Sequence, residues 1–295
     1  MQLVSYAQNL EDVILWRALG HVERGFWIDV GANDPTIDSV TRGFSELGWR
    51  GVNVEPLAHH HADLCRARAQ DVNLRCAAGR AGGEIELFDT SGRGLASTVE
   101  SVALRHAAAG LAITRCTVPV RTLADICAEH APPDIHFLKI DVEGAEADVL
   151  AGADFARHRP WVLVIEATVP NTCIPDHEGW EPAVLAAGYE LAQFDGLNRF
   201  YSAAERPQLR ERLARPVGVH DAGAFVLRPQ HPFSYPVSPD AAAAQDFQAR
   251  AMRLLQVQQD TIVQLRTELD GAHARLSMAT DLIERLAASA AQPAG

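Results

Sequence analysis

Val, Ile, Leu and Phe gather into short runs with little polar alternation: FWIDV at 26–30, GVNVEP at 51–56, VNLRCAA at 72–78, HFLKIDV at 136–142 and WVLVIEA at 161–167. Strands written this way are buried on both faces, the condition of a mainly parallel sheet covered by helices. The intervening segments supply those helices: a stretch running to Leu47, LAHHHADLCRARA after the second run, and a stretch through Leu150 after the fourth. EIELF at 84–88 reads as a further strand, and YELAQF (189–194) with NRFYSA (198–203), joined by DGL, as a closing antiparallel hairpin. The pattern is that of an α/β domain.

The composition changes after Leu227. Residues 229–240 carry four prolines, which suits an extended linker between a domain at 1–228 and whatever follows. Beyond it Leu255, Ile262, Leu269, Leu276 and Ile283 recur every seventh residue, each followed at three by Gln258, Leu265, Ala272, Ala279 and Leu286. These are the a and d positions of a coiled-coil helix over 241–288, ahead of a disordered tail at 289–295. The narrow stripe favours a homo-oligomer or partner docking through the coil. A single amphipathic helix folded back on the domain is the alternative.

A net charge of -12 argues against a nucleic-acid partner, which calls for a basic face. The five cysteines form no CxxC pair and read as reduced thiols. The N-terminus lacks the apolar run of a signal peptide, and no stretch reaches the ~18 apolar residues of a transmembrane segment. The expected location is cytoplasmic.

The first strand ends in DVGAND, opening a turn with only Gly31 where a dinucleotide fingerprint requires three glycines for close approach to a pyrophosphate. A cofactor without phosphates tolerates that loss. S-adenosylmethionine has an ammonium that suits a carboxylate near Asp29 and a ribose diol that suits Glu55 at the end of the second strand. Asp29 as a helix cap and Glu55 as a loop acid form the plainer alternative. A nicotinamide-linked dehydrogenase is disfavoured by the missing glycines.

The segments SYAQNLEDVIL, FWIDVGANDP, GWRGVNVEP, FLKIDVEGAEADVLAG and FDGLNRFY resemble the FkbM family of S-adenosylmethionine-dependent methyltransferases, from about residue 5 to 203. The resemblance implies a Rossmann-like seven-stranded methyltransferase sheet of order 3-2-1-4-5-7-6. It implies methyl transfer mainly to oxygen, on a small-molecule or glycan acceptor such as a sugar or natural product. Asp29, Gly31 and Ala32 would then face the methionine end, Glu55 and Pro56 the ribose, and Ala77 and Ala78 the adenine, with Asn33 of the turn a further cofactor-binding candidate. A non-catalytic scaffold, a methyltransferase-like head on a coiled coil, is the competing class.

In such a sheet ligands sit beyond the carboxyl ends of the strands. Lys139, the only lysine of the chain, lies there. Strand alternation puts Phe137, Lys139 and Asp141 on one face and Leu138 and Ile140 on the other. An ammonium is compact and shifts its pKa when desolvated, where a guanidinium is larger and permanently charged. Methyl transfer needs alignment and removal of a hydroxyl proton. Asp141 is the first candidate for base or orienting group, Glu166 the second, and Lys139 would hold a carboxylate or the developing alkoxide. A structural Lys139–Asp141 ion pair is the alternative.

Asp141 and Glu166 could together hold a divalent cation, but two ligands are few, and no metal is expected. Glu143 suits the start of a helix or a cofactor contact, and the HHH run at 59–61 reads as a solvated helix start. Asp195, Asn198, Arg199 and Tyr201 of the hairpin are candidates for binding sugar hydroxyls at the pocket mouth, with a plain turn as the alternative for Asp195.

Overall fold

The computed structural model describes residues 2–89, 113–170 and 172–234. The coiled-coil helix, the tail and residues 235–240 of the linker lie outside the described residues. In chain order the elements are β1 (Leu3–Ser5), α1 (Glu11–Leu19), β2 (Phe26–Val30), α2 (Arg42–Glu46), β3 (Arg50–Val54), α3 (Ala58–Ala67), β4 (Val72–Leu74), β5 (Ala77–Ala78), β6 (Gly83–Asp89) and β7 (Thr114–Arg121). There follow α4 (Leu123–His130), β8 (Phe137–Ile140), α5 (Glu146–Ala151), β9 (Val162–Glu166), α6 (Glu181–Ala186), β10 (Tyr189–Phe194), β11 (Asn198–Ala203), α7 (Pro207–Leu213) and β12 (Phe225–Leu227).

Seven strands form the central sheet in the order β4-β3-β2-β8-β9-β11-β10. Counted along the chain, those strands stand as 3-2-1-4-5-7-6. β2, β3, β4, β8 and β9 are parallel, and β11 runs antiparallel to both β9 and β10. The reversal of strand order falls between β2 and β8, so the carboxyl ends of these two strands open the crevice.

Each face of the sheet carries its own core. Ile28, Val30, Val52, Val54, Leu138, Ile140, Leu163 and Ile165 pack on one side with Leu123 and Ile126 of α4, Val149 of α5 and Val184 of α6. Trp27, Phe137, Val162, Val164 and Phe200 pack on the other with Ile14, Leu15 and Leu19 of α1, and with Phe44, Trp49, Leu209 and Leu213. The apolar runs thus reflect burial on both sides, and the alternation in FLKI separates Phe137 from Leu138 and Ile140 as the pleat requires. Phe44 is the hub of the second core, its ring 4.9 Å from Trp49 and 5.1 Å from Phe137.

Two local expectations are corrected. The segment after β2 is a loop as far as Thr41, and only α2 is helical; Gly31, Asn33 and Asp38 all have positive φ, and Pro35 sits among them. Asp34 closes this loop instead, Oδ1 accepting the N–H groups of Thr36 and Ile37 at 2.7 Å. The run VNLRCAA divides: β4 belongs to the central sheet, whereas β5 joins β7 and β6 in a separate three-stranded sheet. The ends of the domain meet, because β1 pairs in parallel with β12. His231, buried, donates through Nε2 to Ala7 O at 2.9 Å, so the domain is tied down beyond Leu227. No helix among the described residues is long and apolar enough to cross a membrane.

Phe44→Ala is expected to cost about 3–5 kcal/mol in chemical denaturation, because a fully buried ring leaves a cavity between Trp16, Trp49 and Phe137. A loss below about 1 kcal/mol would show that the second core closes over the gap.

Candidate functional site

In-register pairing sets Asp29 of β2 beside Lys139 of β8. Both are buried, and the Lys139 ammonium meets three oxygens: Asp141 Oδ2 at 3.2 Å, Asp29 Oδ1 at 3.5 Å and Gly31 O at 3.3 Å. Gly31 O accepts a hydrogen bond from it, and the two carboxylates pair with it by charge, an arrangement about a point that the flat fork of an arginine matches poorly. Burial pulls the lysine pKa down, but Asp141 and Asp29 together hold it above its ordinary value. Burial likewise raises Asp29, against the pull of Lys139 and a hydrogen bond from Thr41 Oγ1 at 3.1 Å. Asp29 is 1% exposed, and its carboxylate faces Lys139 and Thr41.

The turn that follows is held on both sides. Gly31 has φ +82°, and a Cβ there would lie 1.8 Å from Asp141 O, so the strand ends touch at a position open only to glycine. Gly31 and Ala32 both donate to Val54 O, at 3.0 and 3.2 Å. Glu55, at the end of β3, accepts Asn33 N–H at 2.9 Å and Leu57 N–H at 2.7 Å, one on each carboxylate oxygen. Burial raises its pKa to about 7, against those hydrogen bonds. Asp29, Gly31, Ala32, Asn33, Glu55 and Pro56 thus gather at the carboxyl ends of β2 and β3. Ala77 packs against Leu57, next to them, and Ala78 follows it in β5.

Acids line the other half of the crevice. Carboxylate oxygens of Asp141, Glu143 and Glu166 all lie within 4.8 Å of one another. Glu143 and Gly144 both have positive φ, a sharp reversal after β8. Glu146 secures it, Oε1 accepting the N–H groups of Val142 and Gly144 at 3.1 and 3.2 Å. Burial and then the charge of Asp141 drive the pKa of both Glu166 and Glu143 well above the ordinary carboxylate range. Asp141 is the more open of the pair it makes with Lys139, its side chain 24% exposed against 9%.

The hairpin residues are engaged within the protein. Asp195 Oδ1 closes the β10–β11 turn by accepting Leu197 and Asn198 N–H at 2.9 and 2.6 Å. Asn198 donates to Glu11 Oε1 at 2.9 Å, while Arg199 Nη1 and Tyr201 OH both reach Glu181 Oε1, at 2.6 and 2.8 Å. Sequence reasoning left Glu11 without a role. It is 2% exposed, and burial followed by the nearby Asp195 raises its pKa to about 8. The only signal for it was the acidic pair Glu11-Asp12 at the start of a helix whose only other charged residue is Arg17.

Lys139→Met would strip Asp29 of its cation. A fall in folding stability of about 3–5 kcal/mol is expected, because a buried charge loses its partner. Asp29→Asn in the same chain should restore part of it; a Lys139→Met protein as stable as wild type would mean that the buried pair contributes nothing.

The sequence model of the Methyltransferase FkbM domain matches residues 29–191, from inside β2 to the start of β10. The match covers more than half of the chain and takes in Asp29, the Gly31 turn, Glu55 and the whole acidic half of the crevice. No curated protein sequence matches the chain. With the strand reversal, the glycine turn and the acid-lined crevice inside the matched residues, the chain belongs to the FkbM family of methyltransferases.

Proposed function

We propose that the chain transfers a methyl group from S-adenosylmethionine to a hydroxyl of a sugar, a glycan or a related natural product. The observation that carries the reading is the seat formed by the Gly31 turn and Glu55: a backbone curl without the glycines a pyrophosphate demands, beside a buried acid able to take a ribose diol. Each oxygen of Glu55 accepts one N–H, and a carboxylate offers about four lone-pair positions, so two hydroxyls still find acceptors. When bound, the cofactor supplies an electrophilic methyl on a sulfonium.

The remaining steps belong to the chain's own residues. Asp141, partly open to the crevice, orients the acceptor hydroxyl and takes its proton, with Glu166 on the neighbouring strand as the second acid. Lys139 acts on the reaction through Asp141, whose carboxylate it holds in place. Asp29 sets the position of Lys139 and contacts the cofactor only through the turn it leads into. The heptads at 255–286 support oligomerisation of the enzyme through its C-terminal coil.

Calorimetry with S-adenosylhomocysteine, followed by incubation of the protein with labelled donor and fractionated glycans, tests the reading. Binding heat and label on a glycan hydroxyl are expected; absence of any heat would leave a non-catalytic scaffold. Glu55 adds a pH signature. Its raised pKa means that the carboxyl is protonated below about pH 7, and a protonated carboxyl accepts a diol poorly. Affinity for S-adenosylhomocysteine should therefore be flat above that pH and fall below it by up to about tenfold per pH unit. In Glu55→Gln that component should vanish and binding weaken by roughly 1.5–3 kcal/mol. A variant with the wild-type pH profile would remove Glu55 from the ribose.

A further inference from the structure

Glu166 is an unusual carboxylate for a sheet strand. It is 8% exposed, and its Oε2 is buried with no hydrogen-bond partner among the described residues. The charged groups that act on it most strongly are Asp141, Glu143 and Glu146, all acids, and Asp141 lies within hydrogen-bond reach of its carboxyl group. A buried carboxyl oxygen without a donor, facing other carboxyl groups, is costly unless a proton or a cation completes the group. Lys139 does not fill that place: its three contacts are Asp29, Asp141 and Gly31 O.

We propose that Asp141, Glu143 and Glu166 bind one divalent cation at the acceptor end of the sheet. Their oxygens already lie within 4.8 Å of one another, so modest rotamer shifts bring them onto one ion. Three carboxylates with neither histidine nor cysteine in the group select a hard ion, magnesium or manganese. Glu146 would be a positioning residue, fixing the backbone that carries Glu143. Three protein ligands leave further positions on a six-coordinate ion for water and for the acceptor oxygen. That the ion serves the acceptor rests on the methyl-transfer reading; that it binds does not.

The sequence showed two of these ligands, which is too few. The third comes from Glu143, whose left-handed backbone brings its carboxylate to the group where a regular helix start would not.

The test is a titration of the full-length protein with manganese(II) alone, followed by electron paramagnetic resonance of the free ion. One saturable ion per chain is expected, competed by magnesium. Glu166→Gln and Glu143→Gln should each weaken it at least about tenfold. Calorimetry with S-adenosylhomocysteine on the same samples shows that each variant keeps its fold. No saturable binding by the wild type at millimolar manganese, or binding of equal affinity in both variants, overturns the proposal. Loss of S-adenosylhomocysteine heat in a wild type that still binds manganese counts against methyl transfer and upholds the ion site.

Discussion

A buried ammonium joins the two strands at which the sheet reverses. Lys139 reaches across from β8 to Asp29 and the Gly31 carbonyl on β2 and back to Asp141 at the end of its own strand. Such a cation is stable in the interior only with opposite charge and hydrogen-bond acceptors around it. The backbone at the end of β2 has therefore to turn so that Gly31 offers its carbonyl, and that turn presses against Asp141 with no room for a Cβ. The requirement of one side chain thus fixes the shape of the crevice mouth. It also accounts for the lysine in a chain that otherwise uses arginine: three separate oxygens around a point differ from the two parallel ones a guanidinium prefers.

The same economy governs the acids. Asp29 and Glu55 both have carboxylates turned inward, one onto a lysine and a threonine, the other onto two backbone N–H groups. They build the loops first, and any ligand meets what remains: backbone amides, the free lone pairs of Glu55, and the partly open Asp141. Across the crevice the balance is reversed. The carboxyl oxygens of Glu166, Glu143 and Asp141 gather within 4.8 Å of one another. Holding such a group together calls either for protons or for a cation, and the choice decides whether that half of the site works as an acid–base pair or as an ion clamp.

The sheet was legible because its signal is dense. Runs such as VLVIE are apolar on consecutive positions only when both faces are covered, and all five residues of β9 are buried. The alternation in FLKID put Lys139 and Asp141 on one side, and they stand 3.2 Å apart. The hairpin was marked by its turn residues. What the sequence hid is of two kinds. Contacts across long separations carry no local mark: Asn198 meets Glu11 across 187 positions, and Arg199 and Tyr201 share Glu181 on the opposite side of the hairpin. Backbone reversals at residues other than glycine are also silent, and Asn33 and Glu143 are both of that type. The segment from 31 to 41 was expected to be helical from its place between two strands, but Pro35 lies in it and the local hydrogen bonds of Asp34 compete with a helix.

Coupling between the two halves of the crevice follows from these contacts. Glu55 grips the Asn33 amide, the turn from Gly31 to Asn33 leans on Asp141, and Asp141 is tied to Lys139. A ligand that orders the first of these loops therefore acts directly on the backbone carrying the acceptor-side acids. Conversely, neutralising the charge around Glu166 relieves repulsion at the end of β9, next to the strand that holds both Lys139 and Asp141. Ligands in the two halves of the crevice should in consequence be linked through the Gly31 turn and the carboxyl end of β8, where these contacts meet.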